Sequence, residues 1–268
     1  MPQSPLLVHP SAPDRDGRIH AVTPKSAGWT YVGFEVYDLA AGSALRRETG
    51  STEVCLVVLS GRATITAGDK DIGTIGERHS VFEGLPWSVY VPAGSQWQVV
   101  AEGPCELAVC AAPSSGGRPP VLIGPDKVGQ ETRGKGSNTR HVRNILPDSS
   151  PIAESLLVVE VVTPSGNWSS YPPHKHDRDA LPAESLLEET YYHRLNPKQG
   201  YGVQRVYTDD RSLDETMAFG DRDVVLVPRG YHPVGAAHGY DLFYLNVMAG
   251  PQRIWRFYND PDHEWMVG

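Results

Sequence analysis

Short apolar runs succeed one another along the chain, many alternating with polar positions and most ending at Gly, Pro, Asp or Asn. Examples lie at 31–39, 53–59, 63–66, 88–91 and 96–100, and again at 156–162, 189–195, 203–207, 224–227 and 242–248. A period of two marks strands that bury one face, and frequent turn residues between such runs predict an antiparallel all-β protein. The 27 Gly and 23 Pro are spread between the runs, as a many-turned β protein requires and a helical bundle would not tolerate. Between the two sets of runs lies PSSGGRPPVLIGPDK (113–127), rich in Ser, Gly and Pro. This divides the chain into an N-terminal barrel at 1–112, a connection at 113–140 and a C-terminal barrel at 141–268.

The halves carry an internal repeat. Glu53 begins EVCLVVLSG and Pro92 sits in VYVPAGSQW; Glu189 begins ETYYHRLNP and Pro228 sits in VLVPRGYHP. The glutamate-to-proline spacing is the same in both halves, which suggests duplication of one β domain. In this alignment Gln96 stands opposite His232, and no histidine lies between Leu39 and Glu53.

Composition removes several classes of function. With 24 basic and 32 acidic side chains the net charge is −8, so nothing favours nucleic-acid or anionic-membrane partners, although one local basic pocket remains compatible with it. Three cysteines, Cys55, Cys105 and Cys110, lie in apolar runs without a CxxC pair, which fits buried thiols in a reducing, cytoplasmic setting. No run approaches the length of a membrane span. Neither GxGxxG after a strand nor GxxxxGK[ST] occurs, so no organic cofactor is expected.

The candidate chemistry lies in the second half. His174 and His176 are spaced i, i+2, and on a strand that spacing puts both imidazoles on one face. Taken alone, the pair would as readily be a solvated turn. With Glu189 and His232 it offers three nitrogens and one carboxylate, a set for Zn²⁺, Mn²⁺ or Fe²⁺ that is too rich in nitrogen for Mg²⁺ or Ca²⁺. Counterparts of the three histidines are missing from the first half together, as loss of one site after duplication would leave them.

His-x-His, a strand-opening Glu and Pro-x-Gly-x-His resemble the cupin motifs, with DRDALPAESLLE inserted before the glutamate so that Glu184, Glu188 and Glu189 compete as ligand. Glu189 is preferred on the repeat spacing, with Glu188 in reserve. Longer runs narrow the likeness. SYPPHKHD, VVLVPRGYHPV, GYDLFYLNVMAGP, RHSVFEGLPWSVYVPAG and RGKGSNTRHVRNIL resemble the 5-deoxy-glucuronate isomerase family of bacterial myo-inositol catabolism, over nearly the whole chain. The resemblance implies a bicupin of two antiparallel jelly-roll barrels. It also implies metal-dependent conversion of 5-deoxy-glucuronate, an anionic sugar acid, to 2-deoxy-5-keto-gluconate.

Strand parity ranks further candidates. Tyr191 shares a face with Glu189, roughly 7 Å along at about 3.3 Å per residue, either reaching substrate or simply packing the barrel. Arg205 and Tyr207 share a face on the next strand. Arg205 is the expected carboxylate receptor, since a guanidinium grips a carboxylate with two hydrogen bonds, and the competing reading is a surface ion pair. Arg133, Lys135, Arg140 and Arg143 form a basic stretch, either solvated or in contact with an anionic substrate or partner subunit. Competing functions are an Fe²⁺-dependent cupin dioxygenase and a non-catalytic sugar-binding cupin. A homo-oligomer is expected, since barrel edges call for cover.

Overall fold

The structure, a computed structural model, describes residues 4–267 and is almost entirely β. Two compact units emerge, and they interleave along the chain instead of following one another. One comprises Pro10–Gly129 with Asn144–Val158; the other comprises residues 4–9, 130–143 and 159–267. The expected division at 1–112, 113–140 and 141–268 therefore does not describe the units. The reasons are local. Leu7–Val8 pairs with Val224–Val227 at the edge of the second unit's large sheet. The Ser-rich segment is held by its own unit, where Glu154 accepts from the hydroxyls of Ser114 and Ser115 at 2.8 Å each.

The first unit has a six-stranded sheet in the order Val121–Ile123, Trp87–Val91, Thr52–Ser60, Cys105–Pro113, Gly33–Leu39, Arg18–Val22. Its second sheet runs Ala44–Glu48, Gln96–Ala101, Ala63–Ala67, Lys70–Ile75. Alternate residues of both sheets meet in one apolar core, among them Val54, Leu56, Val58, Ile65, Trp97 and Val99. Residues of both sheets interdigitate there as in a packing core.

Strand pairing shifts the repeat by one residue. Val54 lies opposite Val91, the residue before Pro92, while Glu189 lies opposite Val227, the residue before Pro228. Val54, not Glu53, thus takes the place of Glu189. A one-residue offset exchanges the faces of a strand, and Glu53 points away from the core. There it is fully buried and accepts from Tyr90 Oη at 2.7 Å and from the backbone N–H groups of Glu154, Ser155 and Leu156 at 2.9, 2.7 and 2.7 Å. Four donors satisfy a carboxylate that burial would otherwise disfavour. Gln96 likewise faces outward to Arg46, and Trp97 is the inward residue.

Most residues of a seven-stranded sheet belong to the second unit; its order is Leu7–Val8, Val224–Val227, Glu188–Asn196, Asp241–Ala249, Leu157–Thr163, Arg140–Leu146, Gly129–Arg133. Beside it is a four-stranded sheet of Trp168–Ser169, Val234–Ala236, Gly202–Tyr207 and Asp214–Phe219. Two short pairs complete it. His174–Lys175 pairs with Tyr258–Asn259, and the insertion before the glutamate folds as a hairpin of Asp177–Ala180 with Glu184–Leu186. No helix among the described residues is long and apolar enough to cross a membrane. Cys55, Cys105 and Cys110 are buried free thiols, each raised above its ordinary pKa chiefly by burial.

Candidate metal centre

Along Glu188–Asn196 the inward positions are Glu189, Tyr191 and His193, all buried. Glu189 Oε2 lies 2.9 Å from His176 Nε2 and 3.1 Å from His232 Nε2. His174 completes the group, its ligand nitrogen lying within 4.8 Å of those of His176 and His232. The imidazole orientations are fixed from behind. His176 Nδ1 is 3.0 Å from the Leu187 carbonyl and His232 Nδ1 is 2.8 Å from the Gly230 carbonyl. A carbonyl only accepts, so each Nδ1 carries the hydrogen and each Nε2 turns a lone pair inward.

His176 Nε2, His232 Nε2 and Glu189 Oε2 are buried without a hydrogen-bond partner among the described residues, despite their proximity. Three buried, converging, unsatisfied ligand atoms with a third imidazole, that of His174, beside them are a cost unless a cation takes them. The residues therefore fit a divalent metal ion. Glu189 Oε1 is held by the Asn246 side-chain amide, which leaves Oε2 for the centre. Glu184 is occupied elsewhere, accepting from the Asp177 and Arg178 backbone and from the Arg178 side chain. The turn that delivers His232 needs Gly230, whose φ is +89° and whose Cβ would stand 2.4 Å from the Tyr207 carbonyl oxygen.

Electrostatics follow the geometry. Burial, reinforced by His232 and His176, holds His174 well below the ordinary imidazole range, and burial also lowers His232. For His176 burial is outweighed by the Glu189 carboxylate, which raises it. Burial of Glu189 is outweighed in turn by His232 and His176, which keep its carboxyl below the usual range. Burial pushes the Tyr191 hydroxyl well up, so it remains a donor.

His174 and Glu189 of the centre line a small cavity together with Arg140, Ser170, Tyr191, Tyr244 and Trp255. Arg133, Arg140 and His174 are shared with a wider cavity of about 560 Å³ that includes Lys135, Tyr171 and Phe257. Tyr191 Oη is 2.9 Å from Ser170 Oγ, and Tyr244 Oη is 2.6 Å from Ser169 Oγ. Ser170 has φ 49°, a left-handed conformation uncommon for a non-glycine residue and typical of functional sites.

The structure brings His174, His176, Glu189, His232 and Tyr191 together and leaves Arg205 and Tyr207 out. Arg205 is bonded twice to Asp214, at 2.8 and 2.7 Å, and lines neither cavity. Its neighbour Gln204 takes the inward position and meets His193, so parity turns Arg205 outward to the ion pair. Tyr207 shares that outer face and donates to Asp260 Oδ2 at 2.7 Å. Of the basic stretch, which sequence reasoning read as either solvated or in contact with an anionic substrate or partner, Arg133 and Arg140 line the small cavity, and Arg133 is paired with Glu131 at 2.6 Å. The Arg140 guanidinium donates only to the backbone carbonyls of Asn138 and Tyr171, and among the described residues no carboxylate pairs with it. Burial lowers its pKa from the ordinary guanidinium value. Asn246, Tyr244, Ser170 and Phe257 were not found from sequence either, since they come from distant segments with no motif of their own.

Residues 6–266 match the profile of the KduI/IolB family. The chain belongs to the KduI/IolB family. Among relatives, it is 58% identical over 265 residues to a 5-deoxy-glucuronate isomerase of Geobacillus kaustophilus, covering 98% of this chain and 96% of that one. An IolB-like protein of Salmonella typhimurium superposes with a TM-score of 0.95 at 52% identity, covering 98% and 99% of the two chains. An oxalate decarboxylase of Lactobacillus farciminis superposes at a TM-score of 0.67 with 15% identity, over 97% and 89%. This last likeness concerns the fold alone and agrees with the all-β bicupin architecture. In this member of the KduI/IolB family the four candidate ligands all belong to the second unit.

Proposed function

We propose that the protein is a cytoplasmic, metal-dependent aldose–ketose isomerase that converts 5-deoxy-D-glucuronate to 2-deoxy-5-keto-D-gluconate in myo-inositol degradation. The observation that carries the reading is the convergence of His176 Nε2, His232 Nε2 and Glu189 Oε2, buried and unsatisfied among the described residues, with Glu189 and His174 lining a cavity that Arg140 also lines. That arrangement occurs in a chain most of whose length is shared with a named isomerase of this substrate. His174, His176, Glu189 and His232 would hold the ion, with Zn²⁺ or Mn²⁺ best suited to three imidazoles and a carboxylate and Fe²⁺ also compatible. A bound divalent ion supplies Lewis acidity toward the sugar's carbonyl and neighbouring hydroxyl oxygens.

The remaining work falls to the chain itself. Arg140 receives the substrate carboxylate, because a desolvated guanidinium that is hydrogen-bonded only to backbone carbonyls among the described residues has donors left for an incoming anion. Tyr191 and Ser170 present hydroxyls to the sugar oxygens from the cavity wall. Phe257 packs on His174 with ring centroids 4.7 Å apart, screening the centre from water. Anaerobic incubation with 5-deoxy-glucuronate, followed by NMR, should show the keto product. Chelation should abolish it, and Zn²⁺ or Mn²⁺ should restore it. Failure of metal-replete protein to form the product would overturn the reading.

A further inference from the structure

Lys175 stands between two candidate ligands, and the alternation that turns His174 and His176 inward turns it the other way. Its side chain is only 1% exposed. An ammonium is costly to bury, and a packing role alone would be better filled by an apolar residue. Here it is bonded to Asp209 Oδ2, lies 3.2 Å from Asp177 Oδ1 and sits 5.4 Å from the centre of the Tyr231 ring. Tyr231, which immediately precedes His232, donates its hydroxyl to the other oxygen of Asp209 at 2.8 Å. Asp177, which immediately follows His176, accepts from the Gly230 N–H through Oδ2 at 2.9 Å. The same Gly230 orients His232 through its carbonyl, at 2.8 Å.

Two carboxylates therefore bridge the segment carrying His174 and His176 to the turn carrying His232. We propose that Lys175, Asp177, Asp209 and Tyr231 form a positioning lock behind the metal centre. The lock presets the separation between the His174–His176 segment and His232, and so governs retention of the divalent ion and not the binding of the sugar. It requires no direct contact with the ion or the substrate. Outer hydrogen bonds that fix ligand orientation are typically worth about 10- to 100-fold in metal affinity. The inference rests on the metal-centre reading above.

The test uses full-length protein stripped of metal and titrated with cobalt(II), followed by its visible absorption and by competition with a chelator. Wild type should bind one ion, and His232→Gln should lose it. Tyr231→Phe removes one hydroxyl, Asp209→Asn one charge, and Lys175→Met the buried ammonium. Each should weaken cobalt binding about 10- to 100-fold and shift the absorption band. Lys175→Arg, which keeps a cation, should recover part of the loss. At saturating metal, KM for the sugar acid should stay within about twofold of wild type, since none of the four touches substrate; the metal effect itself rests on outer positioning. Should Lys175→Met fail to fold, Tyr231→Phe and Asp209→Asn decide the matter. Wild-type affinity and an unchanged spectrum in folded Tyr231→Phe and Asp209→Asn would overturn the lock. A wild type that binds no cobalt, or a His232→Gln that binds it equally well, would instead overturn the metal centre.

Discussion

Arg205 and Arg140 are the same residue type with opposite fates, and the difference comes from what each guanidinium meets. Arg205 has a bidentate carboxylate at its own sheet edge, whereas Arg140 has two backbone carbonyls and a cavity. Arg140→Met should therefore raise KM about thirtyfold, ~2 kcal/mol for a charge-assisted contact, with metal content unchanged. Arg205→Met should leave steady-state kinetics near wild type, because an exposed pair adds little. Nearby, His193 stacks on Phe219 with centroids 3.7 Å apart, and burial lowers its pKa to about 3. An unfolded imidazole binds its proton at a higher pH than this buried one, so the unfolded state gains protons first on acidification. Stability contributed by neutral His193 is present above the unfolded value of about 6.5 and is lost progressively as pH falls from there toward 3. Urea unfolding of His193→Phe across this window should show a flatter acid limb than wild type.

At the scale of the strand, one residue of register separates a ligand from a structural carboxylate. Glu189 faces a cavity with His176 and His232, while Glu53, equally buried, ties down a backbone segment. Glu53→Ala would leave three backbone N–H groups and the Tyr90 hydroxyl without their acceptor. It should cost about 3 kcal/mol of unfolding free energy, as for buried donors left unsatisfied, with cobalt binding intact. Denaturant titration beside a metal assay checks both halves of that expectation. The repeat was legible in sequence because glutamate and proline recur at equal spacing. The slip was not, since it arises from pairing of Val54 with Val91 and Glu189 with Val227, which no spacing along one strand reports. Glu189 is the glutamate that the structure turns toward His176 and His232, and the reason is the inward parity of Glu189, Tyr191 and His193, with Glu184 taken by Arg178.

At the scale of the molecule, the C-terminal residues gather apolar surface beside the wide cavity. Trp265 is 80% exposed and Val267 60%, with Phe257 and Tyr258 also exposed. Such a concentration is characteristic of a covered interface, and a symmetric homo-oligomer is the simplest cover. Light scattering at micromolar concentration should give a multiple of 29.3 kDa. Trp265→Ser should shift the mass toward the monomer. A wild-type monomer at that concentration would contradict it.

Sequence alone determined what depends on local pattern. Period-two alternation and turn residues gave an all-β chain, the i, i+2 spacing put two imidazoles on one face, and the stretch between Leu39 and Glu53 holds no histidine to match that pair. Tertiary structure decided what depends on which segments meet. It interleaved the two units, because Leu7–Val8 finds its hydrogen-bonding edge on Val224–Val227. It turned Arg205 outward and brought Arg140 to the cavity, and it joined Lys175, Asp209 and Tyr231 behind the histidines. Hydrogen-bond partners and burial are properties of neighbours in space, and those neighbours come here from segments far apart in the chain.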